Sequence, residues 1–135
     1  MTYAVQADLE TRFGAAEVLQ LADRDGDEVA DVGVVSGALA EAAAEIDAHL
    51  AGRYALPLAT VPPILVRLAC DIARYRLAAD NPMEEVRKRY EDARRLLESL
   101  AAGRVSLGLP TAEQPPTGGV AVSAPVAVFS DSEGF

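Results

Sequence analysis

The chain has 135 residues and a formal net charge of −9, from 12 basic and 21 acidic side chains. Half of its residues are apolar, only 5% are aromatic, and tryptophan is absent. This length fits one domain with a real core, and the overall acidity argues against a duplex-binding surface, which needs clustered Lys and Arg.

Several other classes of protein are disfavoured by simple features. The sequence contains no apolar run of about 18 residues, the length that predicts a membrane span. Its first ten residues, "MTYAVQADLE", lack the basic start and apolar centre of a signal peptide. The one cysteine, Cys70, excludes an internal disulfide and lies among apolar neighbours, so we expect it to be a small buried side chain in a reducing compartment.

The first elements predicted are two short helices, at residues 6–13 and 15–22, separated by Gly14. They are followed by the acidic loop "LADRDGDEVAD", residues 21–31. With Asp23 at position 1, Asp25, Asp27 and Asp31 take three further oxygen-ligand positions of an EF-hand calcium loop.

Two positions of this loop depart from the calcium pattern. Position 6, which should be glycine for the sharp turn, is Glu28, and position 12, which should be a bidentate glutamate, is Val34. We therefore interpret the loop as a solvated acidic turn, with Asp31 capping the next helix. A weak calcium-binding helical module that uses Asp23, Asp25, Asp27 and Asp31 is the alternative.

Residues 32–53 predict the first long helix. Apolar residues recur there every three or four positions, which is helical spacing. The stripe comprises Val32, Val35, Leu39, Ala42, Ile46 and Leu50.

A proline-rich connection, residues 54–63, leads to the next predicted helix, residues 63–80, which Pro62 or Pro63 can open. Its wide apolar face predicts the most buried element, with Arg67, Asp71, Arg74 and Arg76 on the wetter side.

The last predicted helix covers residues 82–102, with Asn81 as its cap and Gly103 as its C-terminal stop. Met83 opens its apolar stripe. Two acid-to-base pairs at i, i+4, Glu85–Arg89 and Glu91–Arg95, are expected to stabilise it.

After Gly103 the helical period is lost. We divide the chain into a helical domain, residues 1–107, and an extended Pro/Gly/Ser-containing arm, residues 108–135. The fold class expected is mainly α, a compact bundle of four to five helices with a C-terminal arm that can add a strand to a partner. The apolar residues of the arm are our candidates for protein contact, because burying such side chains is favourable. The alternative is that the arm folds back over its own bundle. They are Val120, Val122, Val126, Val128, Phe129 and Phe135.

No arrangement of residues indicates catalysis. His49, the one histidine, has no second histidine or cysteine near it in sequence, and no phosphate-binding, zinc or nucleophile motif occurs. We therefore expect neither an enzyme nor a cofactor. A second alternative is a helical regulatory protein that contacts nucleic acid through the basic stretch 86–95. Its basic residues are Arg87, Lys88, Arg89, Arg94 and Arg95.

Charge is distributed unevenly along the chain. Residues 1–53 carry 11 acids and 3 bases, residues 54–104 carry 7 acids and 9 bases, and residues 105–135 carry 3 acids and no base. The acidic start and the mildly basic middle can attract each other, within one copy or between copies of an assembly.

Four segments together resemble the Mu-type phage and prophage head–tail connector family. They are the opening "MTYAVQADLETRFG", the loop "LADRDGDEVAD", the middle segment "AEIDAHLAGRYALPLATVPPILVRLACDIARYRL" at residues 44–77 and the ending "FSDSEGF". The resemblance covers essentially the whole chain, and the middle segment is its most specific part.

The resemblance implies a small helical adaptor that forms a ring, expected to be twelvefold, beneath the portal protein of the capsid. Such a ring extends the DNA channel, through which DNA passes without sequence-specific binding, and presents a surface to a tail-proximal stopper or tail terminator protein. The implied location is the portal vertex of the virion, after assembly in the cytoplasm of the host bacterium.

Overall fold

The computed structural model describes residues 2–79 and 81–111. Five helices follow one another: α1 (Gln6–Phe13), α2 (Ala15–Ala22), α3 (Val32–Leu50), α4 (Pro63–Ala78) and α5 (Glu84–Ala102). The described part of the chain contains no strand. The mainly α fold and the number of helices predicted from the sequence are confirmed.

The three long helices form the centre of the bundle. Helix α4 packs against both α3 and α5, and α3 also contacts α5. The short helices α1 and α2 pack on each other and lie against α4, while α2 also contacts α3. Alanines at the helix contacts, among them Ala42, Ala69 and Ala73, are fully buried and let the backbones approach closely.

Helix α4 is the most enclosed element, as expected, with nine buried residues among its sixteen. Pro63 lies in the first turn of this helix, where the missing N–H costs no hydrogen bond. The predicted wetter side is partly wrong, because Asp71 and Arg74 are buried, at 4% and 8% exposure. The cause is that α1 and α2 cover the side of α4 that α3 and α5 leave open.

Helix α3 begins at Val32, as predicted, but ends at Leu50, three residues earlier than predicted. Val32 is 71% exposed, although it opens the predicted apolar stripe. Val35, Leu39, Ala42, Ile46 and Leu50 are buried as expected. Because Val32 is the first residue of α3, no neighbouring helix reaches far enough to cover it.

The cap predicted for α3 is also different. Asp31 occupies the N-cap position, but its side chain makes no capping hydrogen bond. Its carboxylate instead accepts the backbone N–H of Arg24, at 3.0 Å, and so closes the acidic loop.

Helix α5 begins two residues later than predicted. Its N-cap residue is Met83, with extended φ −62° and ψ 155°, so the capping role assigned to Asn81 is wrong. Met83 is 72% exposed and lies outside the core. Gly103 does end the helix, in the left-handed conformation, as expected.

The residues after α5 stay attached to the bundle. The hydroxyl of buried Tyr54 accepts the backbone N–H of Leu107, at 3.1 Å, and Leu107 and Leu109 both pack against the core. Contact with the core thus continues two residues beyond the predicted boundary at residue 107. No described helix is long and apolar enough to cross a membrane.

Candidate functional site

The acidic loop between α2 and α3 brings its carboxylates together. One oxygen from each of Asp23, Asp25, Asp27 and Asp31 lies within 4.8 Å of the others. The sequence predicted this set of residues, and the structure shows that a single cation could contact all four.

Hydrogen bonds within the loop engage the same carboxylates. The Asp23 carboxylate accepts the backbone N–H groups of Gly26 and Glu28, each at 2.9 Å. The Asp25 and Asp27 carboxylates accept the N–H groups two residues further on, at 3.2 and 3.0 Å. This pattern is the side-chain-to-backbone bonding predicted for an acidic turn.

Two neighbouring carboxyl groups of the loop have pKa values shifted in opposite directions. Partial desolvation raises the pKa of Asp23, but the N–H groups of Glu28 and Gly26 lower it, and the net shift is downward. The N–H of Asp27 lowers the pKa of Asp25, yet the carboxylates of Asp27 and Asp23 shift it upward overall.

The backbone of the loop differs from our expectation at one position. Glu28 adopts φ 65°, the left-handed conformation that an EF-hand loop reserves for glycine at the same place. The sharp turn therefore forms despite the side chain, with backbone strain of about 1 kcal/mol. Val34 lies in α3 and offers no oxygen ligand, so the strongest ligand of a calcium loop is missing.

The basic stretch on α5 is largely neutralised by its own neighbours. Arg87 pairs with Glu84 at 2.5 Å and Glu91 at 2.7 Å, and Arg89 pairs with Glu85 at 3.3 Å. The Glu85–Arg89 pair predicted from the sequence is confirmed.

Two further arginines of α5 are also engaged. Arg95 pairs with Asp92 at 3.1 Å, instead of the predicted Glu91, and Arg94 lies 4.0 Å from Glu98. Acids alternating with bases leave little net positive charge for phosphate contacts.

Arg74 of α4 contacts side chains of three other helices. Its guanidinium donates two hydrogen bonds to Glu17 of α2, at 2.5 and 3.1 Å, and lies 4.2 Å from the centre of the Phe13 ring at the end of α1. A third carboxylate, Glu85 of α5, is 3.7 Å away. Both Phe13 and Arg74 belong to the segments that carry the family resemblance.

A second polar cluster joins the three long helices. Arg76 of α4 donates to Glu45 of α3 at 2.8 Å, and the Tyr90 hydroxyl of α5 donates to the same carboxylate at 3.1 Å. The rings of Tyr75 and Tyr90 stack with centroids 4.1 Å apart. Tyr75 and Arg76 belong to the segments that carry the family resemblance, whereas Tyr90 lies outside them.

Cys70 and His49 are the residue types most often used in nucleophilic and acid–base chemistry, and the structure places both in ordinary structural contacts. Burial raises the pKa of the Cys70 thiol to about 11, so the thiol stays protonated at neutral pH. His49 places Nδ1 2.8 Å from the carbonyl oxygen of Glu45, one turn back in α3, where it donates a hydrogen bond.

An apolar groove, which the sequence did not predict, runs between the N-terminal segment and the first half of α3. Its volume is about 250 Å³, and its lining contains no ionisable side chain. Val5 and Val32 lie at this groove and are 55% and 71% exposed. The lining residues are Thr2, Ala4, Val5, Gln6, Val32, Val35, Ser36, Leu39 and Ala40.

The family model described as Bacteriophage Mu, Gp36 matches residues 3–124 of the chain. The chain belongs to the Bacteriophage Mu Gp36 family. The Mu-like prophage FluMu protein gp36 of Haemophilus influenzae is 41% identical over 107 residues, which is 79% of this chain and 76% of the relative. Gene product J of Escherichia phage Mu is 34% identical over 110 residues, 81% of this chain and 78% of the relative.

Membership of the Gp36 family makes this a phage protein and confirms the Mu-type resemblance. The matched range includes the α1 end, α3, α4 and their connection, the segments on which the resemblance was based. The arm residues proposed for protein contact, Val120, Val122, Val126, Val128, Phe129 and Phe135, lie outside the described residues.

Proposed function

We propose that this Gp36-family protein is a structural head–tail connector, which forms a ring below the portal protein and extends the DNA channel toward the tail. The observation that carries the proposal is the family match over residues 3–124, with relatives in phage Mu and a Mu-like prophage. The proposed partners are further copies of the chain, the portal protein and a stopper or tail terminator protein.

The organisation of the bundle supports a mechanical role. Arg74 and the Arg76–Glu45–Tyr90 cluster tie all five helices into one unit. A rigid subunit that meets its neighbours through two different faces can close into a ring. The uneven charge, acidic in residues 1–53 and slightly basic in 54–104, would favour contact between different faces of neighbouring copies, although Arg74 and Arg76 pair with Glu17 and Glu45 within one copy.

In this proposal the protein has no catalytic activity and binds no cofactor. The arrangement of Cys70 and His49 supports that part, since burial keeps the thiol protonated and the imidazole is hydrogen-bonded to its own helix.

The acidity of the chain also suits the proposed channel. An acidic channel wall would let DNA slide, because like charges repel.

The test is a phage or prophage from which the gene has been removed. We expect heads and tails to accumulate unjoined, as counted by negative-stain electron microscopy, and the full chain supplied in trans to restore joining. Cryo-electron microscopy of the complemented particles is expected to show a ring of this chain at the portal vertex. Infective, tailed particles formed without the protein would contradict the proposal.

A calcium-binding module is the one second candidate that a specific observation favours. Four carboxylate oxygens of the acidic loop lie within 4.8 Å of one another. Two features count against calcium binding and so favour the connector. The carboxylates already accept backbone N–H groups, and Val34 stands where a calcium loop has its glutamate.

A further inference from the structure

The apolar groove beside α3 has the features of a surface that another polypeptide segment covers. Its lining is uncharged, although residues 1–53 carry 11 acids and 3 bases. Val5 and Val32 are two of the few large apolar side chains that the described residues leave more than half exposed. Uncharged apolar surface in an otherwise acidic region is best matched by an uncharged apolar occupant.

One wall of the groove is extended backbone. Residues 2–5 precede α1, and Val5 has φ −122° and ψ 173°. Tyr3 and Ala4 are each 4% exposed and are covered by the chain's own residues, whereas Thr2 and Val5 are exposed. Among the described residues, Thr2, Tyr3 and Ala4 form no backbone-to-backbone hydrogen bond, so this extended segment can pair with a neighbouring strand at its exposed positions.

The chain itself contains a segment of matching chemistry. Residues 120–129, "VAVSAPVAVF", carry no ionisable side chain and are rich in β-favouring valine. They begin nine positions after residue 111, where the described structure ends. Nine extended residues span about 30 Å, more than the length of α3 from Val35 to Leu50, about 22 Å by helical rise.

We propose that residues 120–129 of a neighbouring copy lie in this groove as a strand beside residues 2–5. The inference rests on the proposed assembly of copies and names the surface that receives the arm. One groove and one segment per copy satisfy every subunit of a closed ring, because each interface joins two different surfaces. Val5 and Val32 are then covered by the valines of the incoming segment.

The test is chemical cross-linking of full-length chains. Copies with Ser36→Cys, an exposed groove residue, are mixed with copies carrying Ser123→Cys and a size tag, and are treated with a short bismaleimide. The matched control replaces Ser36→Cys with Ala48→Cys, which is exposed on the same helix outside the groove. Cys70 is fully buried, so the unmodified chain serves as the blank.

We expect an adduct between the Ser36→Cys and Ser123→Cys copies, at least about tenfold more abundant than with Ala48→Cys, in purified assemblies and in particles. Three results overturn the inference: no adduct, equal adduct with Ala48→Cys, or adduct formed only within one chain of the double variant Ser36→Cys/Ser123→Cys. The last result means that the segment covers its own groove.

Head–tail joining, scored on the same particles, separates the two proposals. Normal joining without the adduct rejects the groove and leaves the connector role intact. A strong adduct in a chain that is dispensable for joining rejects the connector role and leaves the docking intact.

Discussion

Single residues in this protein that look suited to recognition serve internal contacts. Arg74, in the most family-typical segment, is 8% exposed and divides its guanidinium among Glu17, Glu85 and the Phe13 ring. A buried cation with several partners is costly to remove, because each carboxylate left behind loses its counter-charge.

Arg74→Ala is therefore expected to lower the free energy of unfolding by about 2–3 kcal/mol. The matched control is Arg94→Ala, because Arg94 is 53% exposed and lies 4.0 Å from Glu98. We expect the control to change stability by less than about 0.5 kcal/mol. Urea unfolding followed by circular dichroism measures both, and equal losses would contradict the role assigned to Arg74.

Replacing Asp71 is expected to have the opposite effect on stability from replacing Arg74. Burial raises the pKa of its carboxyl, although the guanidinium groups of Arg89 and Arg67 lower it. A raised pKa in the folded state means that the stabilisation is complete below the ordinary value of 3.8 and is lost as the pH rises through the folded value.

Asp71→Asn removes that loss. We expect the variant to be at least as stable as the natural chain at pH 7, with the difference disappearing near pH 3, as measured by urea midpoints at the two pH values. A marked loss of stability at pH 7 would mean that the carboxylate makes a net favourable pair with Arg67, 3.8 Å away.

At the scale of elements, two glycines differ in whether the folded chain requires glycine at their position. Gly103 ends α5 with φ 81°, and a Cβ there would lie 2.7 Å from Nη1 of Arg53. Gly37 lies within α3, and a Cβ there meets nothing within 4 Å. Folding of the single chain accounts for the first glycine and gives no reason for the second.

The pair Gly103→Ala and Gly37→Ala tests this distinction. We expect Gly103→Ala to lose about 1–2 kcal/mol from the left-handed backbone alone, and Gly37→Ala to gain about 0.5–1 kcal/mol from helix propensity. Thermal and urea unfolding of the two variants provide the measurement. Destabilisation by Gly37→Ala would show that α3 is not a regular, open helix at this position.

The acidic loop is the other element that permits a decisive measurement. Calorimetric titration is expected to show no calcium binding tighter than about 1 mM, the weak end of such sites, because position 12 of the loop lacks its glutamate. Asp25→Asn/Asp27→Asn is the control, and its melting temperature should respond to calcium no differently. Micromolar binding that the double variant abolishes would establish the loop as a metal site.

For the molecule as a whole, the central expectation concerns the C-terminal arm. Deleting residues 119–135 is expected to leave helicity and the unfolding midpoint unchanged, since no described core residue lies beyond Leu109. Incorporation into particles, measured by immunoblotting of purified virions, should be abolished. A truncated chain that enters particles normally would contradict the contact role given to the arm.

Much of the architecture follows from sequence periodicity. The bounds of α1 and α2, the buried stripe of α3 and the stop at Gly103 were predicted because helix spacing and glycine act locally. The burial of Asp71 and Arg74 was not, since it depends on α1 and α2 folding over α4, which is a tertiary event. The groove beside α3 escaped prediction for the same reason, as residues 2–6 are distant in sequence from the helix they meet.

The hydrogen bond between Leu107 and Tyr54 has a mechanical consequence. Along the chain, Leu107 lies between α5 and residue 111, so a pull on the C-terminus reaches the Leu107 amide before it reaches the last turn of α5. Tyr54 lies four residues after the end of α3, and its side chain is buried. A force applied at the C-terminus is therefore transmitted through the Leu107–Tyr54 hydrogen bond to the core. As long as this hydrogen bond holds, the C-terminal end of α5 is protected from unwinding.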